Sequence, residues 1–246
     1  MGTFFTTFLT LFRSNIKNKR QCESIGDEFL ISVSEKCKKL KKLWISGCKG
    51  ITSKGLCKLC ENVGSSLHAL QMNAVYGVKE IECVGEYCEN LIEWYASRND
   101  KIEKTQFRSV VSRLHNLSCV DFYQNKNSVD DSVITSLCES NTDLRELYVS
   151  CCKKVTDGSL ESAAKHLTLL DTIFLNKVWQ VSFEGIKKVF ESCKYLTKGK
   201  QKRIYFIPNT KKTHSSLSKL QLRERIFQVR KKSPFYLNYF AKKKSK

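Results

Sequence analysis

The chain of 246 residues lacks several features that would assign it to a common class. No apolar run approaches the roughly 18 residues that a membrane-spanning helix requires. The apolar stretch from Phe4 to Phe12 has no Lys or Arg ahead of it and no small-residue cleavage site before Arg13, so it is a poor secretory signal. We expect residues 1–22 to be an N-terminal cap, with a helix over this stretch; a targeting peptide and a truncated start remain alternatives.

The motifs of familiar active sites are missing as well. The sequence contains no glycine-rich phosphate loop, no His-Glu-x-x-His zinc motif and no nucleophile elbow. It also lacks the eight spaced ligands of a RING-type zinc module. The four histidines fall at different positions of the repeat described below; they are His68, His115, His166 and His214. We therefore predict a protein that is not an enzyme and that uses neither a metal nor a cofactor.

Acidic residues are nearly absent from the C-terminal part. Residues 194–246 contain 17 Lys or Arg against Glu224 alone, whereas residues 1–193 contain 26 Lys or Arg and 23 Asp or Glu. Most of the net charge of +19 thus belongs to a basic tail. We place this tail at residues 199–246 and expect it to be partly disordered or helical, with an amphipathic helix over residues 215–232. Its densest clusters are Arg230, Lys231, Lys232, Lys242, Lys243 and Lys244. Such clusters serve as solvated ends or nuclear import signals, or contact nucleic acid or an anionic membrane.

What the sequence does contain is a short pattern that recurs about every 26 residues. A leucine marks the start of each copy, at Leu40, Leu67, Leu91, Leu117, Leu144, Leu170 and Leu196. Counted from that leucine, further apolar residues recur at positions +3 and +5 and again at about +11, followed by a helical pattern. One strand, one turn and one helix this small cannot bury their own apolar face, so the copies must stack. An incomplete first copy ends in a predicted helix over residues 27–36.

Two copies in particular resemble a known family. Residues 40–56 read Leu-Lys-Lys-Leu-Trp-Ile-Ser-Gly-Cys-Lys-Gly-Ile-Thr-Ser-Lys-Gly-Leu, and residues 144–158 read Leu-Arg-Glu-Leu-Tyr-Val-Ser-Cys-Cys-Lys-Lys-Val-Thr-Asp-Gly. Both resemble the cysteine-containing leucine-rich repeat of F-box/leucine-rich-repeat proteins, over about residues 23–198. No F-box precedes the repeats here, and the copies at 67–90 and 91–116 depart from the pattern.

The resemblance implies an α/β leucine-rich-repeat solenoid, a horseshoe with parallel strands on the concave side and helices on the convex side. The family consists of substrate receptors of SCF-type ubiquitin ligases. It implies a protein target, SCF adaptor and cullin as partners, and a role in proteasomal degradation. We expect a monomer without a membrane span, in the cytoplasm or nucleus.

The alternation of side chains along a strand predicts which residues meet the target. Positions +3 and +5 should face the core, and positions +2, +4 and +6 should face outward. Four of the six +4 residues are aromatic, and exposed aromatic residues mark binding sites. The predicted partner-binding residues are Trp44, Gln71, Tyr95, Asp121, Tyr123, Tyr148 and Phe174. Two alternatives are an aromatic ladder that only stabilises the strands, and coverage by the basic tail.

The twelve cysteines are expected to be reduced and structural. Cys37, Cys88 and Cys193 each lie three residues before a first leucine, and Cys48 and Cys152 each lie eight residues after one. Free cysteine packs as a small apolar side chain at such equivalent positions. The spacing of Cys57 and Cys60 matches half of a zinc site, but no second pair lies at the required distance.

A second hypothesis gives the repeats a smaller role. The chain would then be a scaffold whose basic tail binds RNA or an anionic surface, with the repeats as a spacer. The target of either version is not encoded in any motif of the sequence.

Overall fold

A computed structural model describes residues 8–10, 25–198 and 204–205. Its strands form one parallel sheet in which each strand pairs with the next along the chain. The strands are β1 Phe8–Thr10, β2 Lys42–Trp44, β3 Ala69–Gln71, β4 Glu93–Tyr95, β5 Cys119–Asp121, β6 Glu146–Tyr148, β7 Thr172–Phe174 and β8 Ile204–Tyr205. From β2 to β7, the register aligns equal repeat positions, as in Trp44 opposite Gln71 and Tyr148 opposite Phe174.

A helix follows each of the strands β1 to β7. These helices are α1 Asp27–Lys36, α2 Ser53–Val63, α3 Glu82–Tyr87, α4 Lys104–Arg113, α5 Asp131–Ser140, α6 Asp157–His166 and α7 Phe183–Ser192, and the short α8 Lys194–Lys198 comes next. Each helix packs on its neighbours in the chain. Neighbouring strands lie about 4.8 Å apart and packed helices about 8–10 Å apart, so the stack curves with its strands inside. The α/β solenoid expected from the sequence is confirmed.

The core lies between the sheet and the helices. All six residues at +3 and all six at +5 are at most 1% exposed, from Leu43 and Ile45 in β2 and its turn to Ile173 and Leu175. The seven first leucines are equally buried. The inward assignment of positions +3 and +5 is therefore confirmed, whereas several of the residues assigned outward, such as Ala69, Ser150 and Phe174, are also buried. In the middle of the stack, Trp94, Phe107 and Phe122 form an aromatic trio with ring centroids 5.1 to 5.9 Å apart.

Four of the helices begin directly after a polar residue that caps the first turn. Thr52, Asp130, Thr156 and Ser182 cap α2, α5, α6 and α7, and each side-chain oxygen accepts a hydrogen bond from a first-turn amide. Three of these caps are also tied to the preceding repeat. The Asp27 carboxylate accepts from the Thr52 amide at 2.7 Å and from its hydroxyl at 2.6 Å. Asp131 does the same for Thr156, and Asp157 accepts from the Ser182 amide at 2.7 Å.

Two glycines make this aspartate link possible. A Cβ added at Gly55 would collide with the Asp27 carboxylate, and one added at Gly185 would collide with that of Asp157. A side chain at either position would displace this carboxylate, so glycine in the first turn of α2 and α7 keeps the aspartate link intact.

A second link between repeats is made at position +8, in the loop that follows each strand. Asn99 donates to the Met72 carbonyl at 2.8 Å and accepts from the Val75 amide at 3.0 Å. The Asn125 side chain repeats this pattern one unit later. It donates to the Ala96 carbonyl and accepts from the Asn99 backbone amide. At the same position, the Cys152 thiol donates to the Phe122 carbonyl at 3.1 Å. Cysteine and asparagine thus serve as alternative donors to the preceding repeat.

Three findings extend or correct the sequence analysis. The N-terminal helix expected over residues 4–12 is wrong for residues 8–10, which instead form β1 in parallel register with β2. Strand β8 continues the sheet beyond β7 at Ile204–Tyr205, within the segment that was expected to be a partly disordered or helical tail. The tail's predicted helix over 215–232 lies outside the described residues. No helix in the described residues is both long and apolar enough to span a bilayer.

Candidate functional site

The outward side chains of β2 to β7 and of the turn after each strand, at positions +2, +4 and +6, form what we call the concave surface. At +4, Trp44, Gln71, Tyr95, Asp121 and Tyr148 are half-buried, and Phe174 is only 8% exposed. These side chains are therefore packed against their neighbours on the surface and do not stand fully in water. This packing contributes to the sheet, as the ladder alternative requires, and it also holds the rings in fixed orientations.

One ring pair lies toward the C-terminal end of the concave surface. Tyr148 and Phe174, opposite each other on β6 and β7, stack with centroids 4.6 Å apart and planes 19° apart. The Tyr148 hydroxyl donates to the Glu146 carboxylate two residues earlier in the same strand. Burial raises the pKa of Tyr148, and the hydrogen bond to Glu146 raises it further, so the hydroxyl stays protonated at neutral pH.

A matching arrangement lies on β4. The Tyr95 hydroxyl donates to Glu93 at 3.1 Å, and the Lys42 ammonium reaches the same carboxylate at 3.2 Å from two strands away. The residue between Lys42 and Glu93 in the register is Ala69, whose small side chain leaves room for this contact. Burial is the main cause that raises the pKa of Tyr95. Tyrosine and glutamate thus occupy equal positions on β4 and β6.

Cys119 lies between these two tyrosine–glutamate pairs. Its sulfur is 3.6 Å from the Tyr95 hydroxyl and 3.9 Å from the Glu146 carboxylate. The residue is 8% exposed, and burial raises the pKa of its thiol, which argues against a reactive thiolate. Cys119 therefore connects the two halves of the concave surface, and its thiol stays protonated there.

Asp121 carries the most strongly perturbed carboxyl of this surface. Burial raises the pKa of Asp121 from 3.8 to about 6, against the opposing effects of the Tyr123 amide and the Arg98 guanidinium. The Tyr123 amide donates to it at 2.8 Å. Arg98 also lies 5.7 Å from the Tyr123 ring centroid, a cation–π geometry. A cation brought to this point by a partner would lower the pKa of Asp121.

The +6 residues join repeats as well as facing outward. The Ser46 hydroxyl accepts from the Asn73 amide at 3.1 Å, and the Asn73 side chain accepts from the Ser97 amide at 2.8 Å. Ser150 does the same for the Asn176 amide at 3.0 Å. The +6 side chains therefore also have a structural role, because they connect neighbouring repeats.

The residue after each +6 position has a left-handed backbone. Its φ lies between 56° and 78° in six consecutive repeats, at Gly47, Ala74, Arg98, Gln124, Cys151 and Lys177. Only one of these is glycine, so five repeats carry a side chain in a conformation that costs roughly 1 kcal/mol. The shared conformation ends each strand at the same point and keeps the concave surface in register.

The cysteines occupy structural positions, with one exception to the expectation. Cys48, Cys88, Cys152 and Cys193 are buried and free, as predicted, and Cys37 is partly buried and free. Cys57 in α2 and Cys83 in α3, however, are paired as a disulfide with Cα atoms 5.2 Å apart. The two residues lie 26 positions apart, so the repeat itself brings them together. Among the described residues, no group of three or more Cys, His, Asp or Glu has metal-binding geometry.

Sequence analysis missed several of these contacts. The pairs Glu93–Tyr95 and Glu146–Tyr148 could have been found as a Glu-x-Tyr pattern at equal repeat positions. The reach of Lys42 over Ala69 and the central place of Cys119 had no comparable signal. The predicted tail clusters at residues 230–232 and 242–244 lie outside the described residues.

No model of a known protein family matches the chain. Among solved structures, the fold is similar to a chain in the crystal structure of the Rad7 and Elc1 complex in yeast, with a TM-score of 0.60 and 20% sequence identity. The similarity covers 76% of this chain and 48% of that one, so this chain spans about half the length of the solved chain. Identity this low supports the fold alone, a leucine-rich-repeat solenoid.

Proposed function

We propose that the protein is a non-enzymatic interaction module that binds a partner protein through the concave surface. The observation that carries the proposal is the continuous line of fixed rings and carboxylates across β4 to β7. Tyr95 and Tyr148 are each oriented by a glutamate, and Tyr148 is stacked on Phe174. Rings held in place before binding lose little conformational entropy when a partner arrives, which favours their use as anchors.

The composition of this surface also limits the partner. Aromatic and carboxylate groups alternate along β4 to β6, which suits a segment that carries both apolar and basic side chains. A purely acidic partner would meet Glu93, Asp121 and Glu146 at a cost. We therefore expect the partner's contact segment to be mixed in character, with lysine or arginine among its central residues.

The test compares partner capture by the wild-type chain with capture by Tyr148→Ala/Phe174→Ala. Partners recovered by the wild type are then purified and their affinity for each chain is measured. We expect the double variant to bind about 30-fold or more weakly, since truncated anchor rings cost roughly 2 kcal/mol or more. The matched control is Tyr87→Ala, because Tyr87 lies at the end of α3 and is 41% exposed. Equal binding by all three chains would remove the concave surface from the proposal.

A finer version of the proposal assigns the partner to ubiquitin-dependent degradation. In it, the chain recognises a substrate as part of an SCF-type ligase. Its support is the cysteine-containing repeat pattern at residues 40–56 and 144–158, together with the fold shared with a chain of the Rad7 and Elc1 complex. Co-purification with SCF adaptor and cullin subunits would support this version. Their absence, with a partner still bound on the concave surface, would remove the ligase and leave the interaction module.

The alternative function rests on the charge of the basic tail. In this version the tail contacts nucleic acid or an anionic membrane, and the repeats are a spacer. Deleting residues 206–246 keeps β8 and separates the two functions. If partner binding survives the deletion and fails in Tyr148→Ala/Phe174→Ala, the interaction module is correct, and the opposite result favours the tail. We also propose that the protein is a monomer and is located in the cytoplasm or nucleus.

A further inference from the structure

The concave surface presents negative charge on three neighbouring strands. Glu93 on β4, Asp121 on β5 and Glu146 on β6 all face outward. Lys42 pairs with Glu93 at 3.2 Å, and Arg98 lies close enough to lower the pKa of Asp121. Within the described residues, no lysine or arginine forms an ion pair with Glu146. The middle of the surface therefore has more carboxylates than cations to balance them.

The same chain carries a large excess of the complementary charge. Residues 206–246 contain a single acidic residue, Glu224, and twelve basic ones: Lys211, Lys212, Lys219, Arg223, Arg225, Arg230, Lys231, Lys232, Lys242, Lys243, Lys244 and Lys246. Aromatic residues are interspersed among them, as in Phe235 and Tyr236. This composition is the mixed basic and apolar character that the concave surface suits.

The fold also brings this segment to the correct place. Strand β8 pairs with β7, and Tyr205 aligns with Phe174, so the chain reaches residue 206 from within the sheet. From β8 to β6 is two strand spacings, and from β8 to β4 is four, or roughly 10 and 19 Å. An extended chain covers about 3.3 Å per residue, so six or seven residues span the longer distance. The 41 residues from 206 to 246 exceed that requirement several times over.

We propose that the basic segment 206–246 docks on the concave surface of its own chain, with lysine or arginine at Glu146 and Asp121, and is displaced when a partner binds. This inference rests on the proposed function, because it gives that same surface a built-in competitor. Contacts between charges near a surface are individually weak. Attachment to the sheet nevertheless gives the segment an effective concentration on the order of millimolar, so modest affinity is enough for occupancy.

Zero-length carbodiimide cross-linking of the full chain tests the docking directly, because it joins lysine amines only to carboxylates in contact. We expect cross-links from lysines of residues 206–246 to Glu146 and Asp121, and fewer to the neighbouring Glu93. The contact between Lys188 and Glu161 on the convex side, 2.6 Å apart, is an internal positive control. The Glu146→Gln/Asp121→Asn variant lacks these two cross-linking sites. In this variant, cross-links from the tail lysines to Glu93 should fall about fivefold. Tail cross-links of the wild type should also fall about fivefold in about 0.5 M salt. The Lys188–Glu161 product of the variant should be unchanged at low salt, which shows that the variant is folded.

Three outcomes would overturn the inference. One is the absence of tail cross-links while the Lys188–Glu161 product forms. Another is equal tail cross-linking to convex carboxylates such as Glu61 and Glu86. The third appears in a mixture of isotopically light and heavy chains, where cross-links between the two labels would show that a second copy is the occupant. None of these readouts uses a partner, so the docking can fail while the proposed function stands, and the partner-binding test can fail while the docking stands.

Deletion of residues 206–246 then tests the competition. Since the occupied surface is unavailable to a partner, removal of the segment should tighten partner binding about three- to tenfold. The Tyr148→Ala/Phe174→Ala variant should bind about 30-fold or more weakly with or without the segment. Unchanged or weaker partner binding after the deletion would contradict displacement.

Discussion

The repeats that begin at Leu117 and Leu144 and those that begin at Leu67 and Leu91 form the same strand–helix unit by different chemistry. In the first pair, helices α5 and α6 have ten residues each and begin at side-chain caps. In the second pair, α3 has only six residues, and neither α3 nor α4 has a side-chain cap. The register of the strands is nevertheless uninterrupted from one pair to the other.

Contacts between repeats explain how the second pair keeps its register without side-chain caps. Where a Thr or Ser cap is present, an aspartate on one helix accepts a hydrogen bond from the cap residue of the next helix, as Asp131 does from Thr156. Where it is absent, the Gln106 side chain accepts from the Ile81 amide at 3.0 Å, and Asn99 joins two backbone groups of the repeat before it. The aromatic trio around Trp94 fills the interior of these weaker units. The repeat position is therefore conserved in geometry while the residue that satisfies it changes.

Removal of the Trp94 side chain should have the largest effect on the stability of the repeats. Trp94 is fully buried against Phe107 and Phe122, and we expect Trp94→Ala to lower the free energy of unfolding by about 3–5 kcal/mol. Urea unfolding followed by circular dichroism measures the change. Trp179→Ala is the matched control, since Trp179 is 42% exposed and should cost about 0.5 kcal/mol or less. Similar losses from both variants would show that the trio does not stabilise the irregular repeats.

The asparagine link is the next test. Asn99→Ala leaves the Met72 carbonyl and the Val75 amide without their partner, and we expect a loss of about 2–3 kcal/mol. Cys152→Ala at the same repeat position removes one bond to the Phe122 carbonyl and should cost less, about 1 kcal/mol. The two variants are compared by thermal and urea unfolding. A larger loss for Cys152→Ala would reverse our assignment of the stronger link.

The aspartate link of the regular repeats should contribute somewhat less to stability than the Asn99 link. Asp131→Ala removes the acceptor for the Thr156 amide and hydroxyl and for the Ser159 amide, and we expect a loss of about 1–2 kcal/mol. Hydrogen exchange of the first turn of α6 measures where the loss falls. Glu139→Ala, at an exposed site near the end of the same helix as Asp131, is the control. Faster exchange spread evenly over all helices would contradict a local link.

The last effect has the opposite sign and concerns Asp121, on the strand where the two pairs of repeats meet. Its folded pKa of about 6 lies above its ordinary 3.8, so the folded state binds the proton more tightly than the unfolded state. Stability from this group therefore falls as pH rises from about 4 to about 6 and is constant above that. We expect Asp121→Asn to stabilise the protein by about 1–2 kcal/mol near neutral pH and to match the wild type below about pH 4.

Unfolding midpoints measured across that pH range check the Asp121 prediction. The Asn side chain keeps the oxygen that accepts from the Tyr123 amide, so the comparison isolates the charge. A stability difference that does not change with pH would assign the effect to packing.

Most of the fold was predictable because it depends on period and polarity. The columns of apolar residues located every strand from β2 to β7, and residues such as Thr52 and Asp130 located the helix starts. The site was predictable only as a set of positions. The stack of Tyr148 on Phe174 and the place of Cys119 depend on the distances between neighbouring strands and on rotamers, which a linear pattern does not specify. The disulfide between Cys57 and Cys83 depends in the same way on the packing of α2 against α3.

The links described here, whether aspartate to threonine or asparagine to carbonyl, each join one repeat to the next, and the helices likewise pack on their neighbours in the chain. Tension applied at opposite ends of such a stack is borne by one junction after another and not by the whole core at once. With the Cys57–Cys83 disulfide reduced, a single molecule pulled from its two ends should therefore lengthen in discrete steps, each of roughly 80–90 Å, as about 26 residues at a time detach and extend.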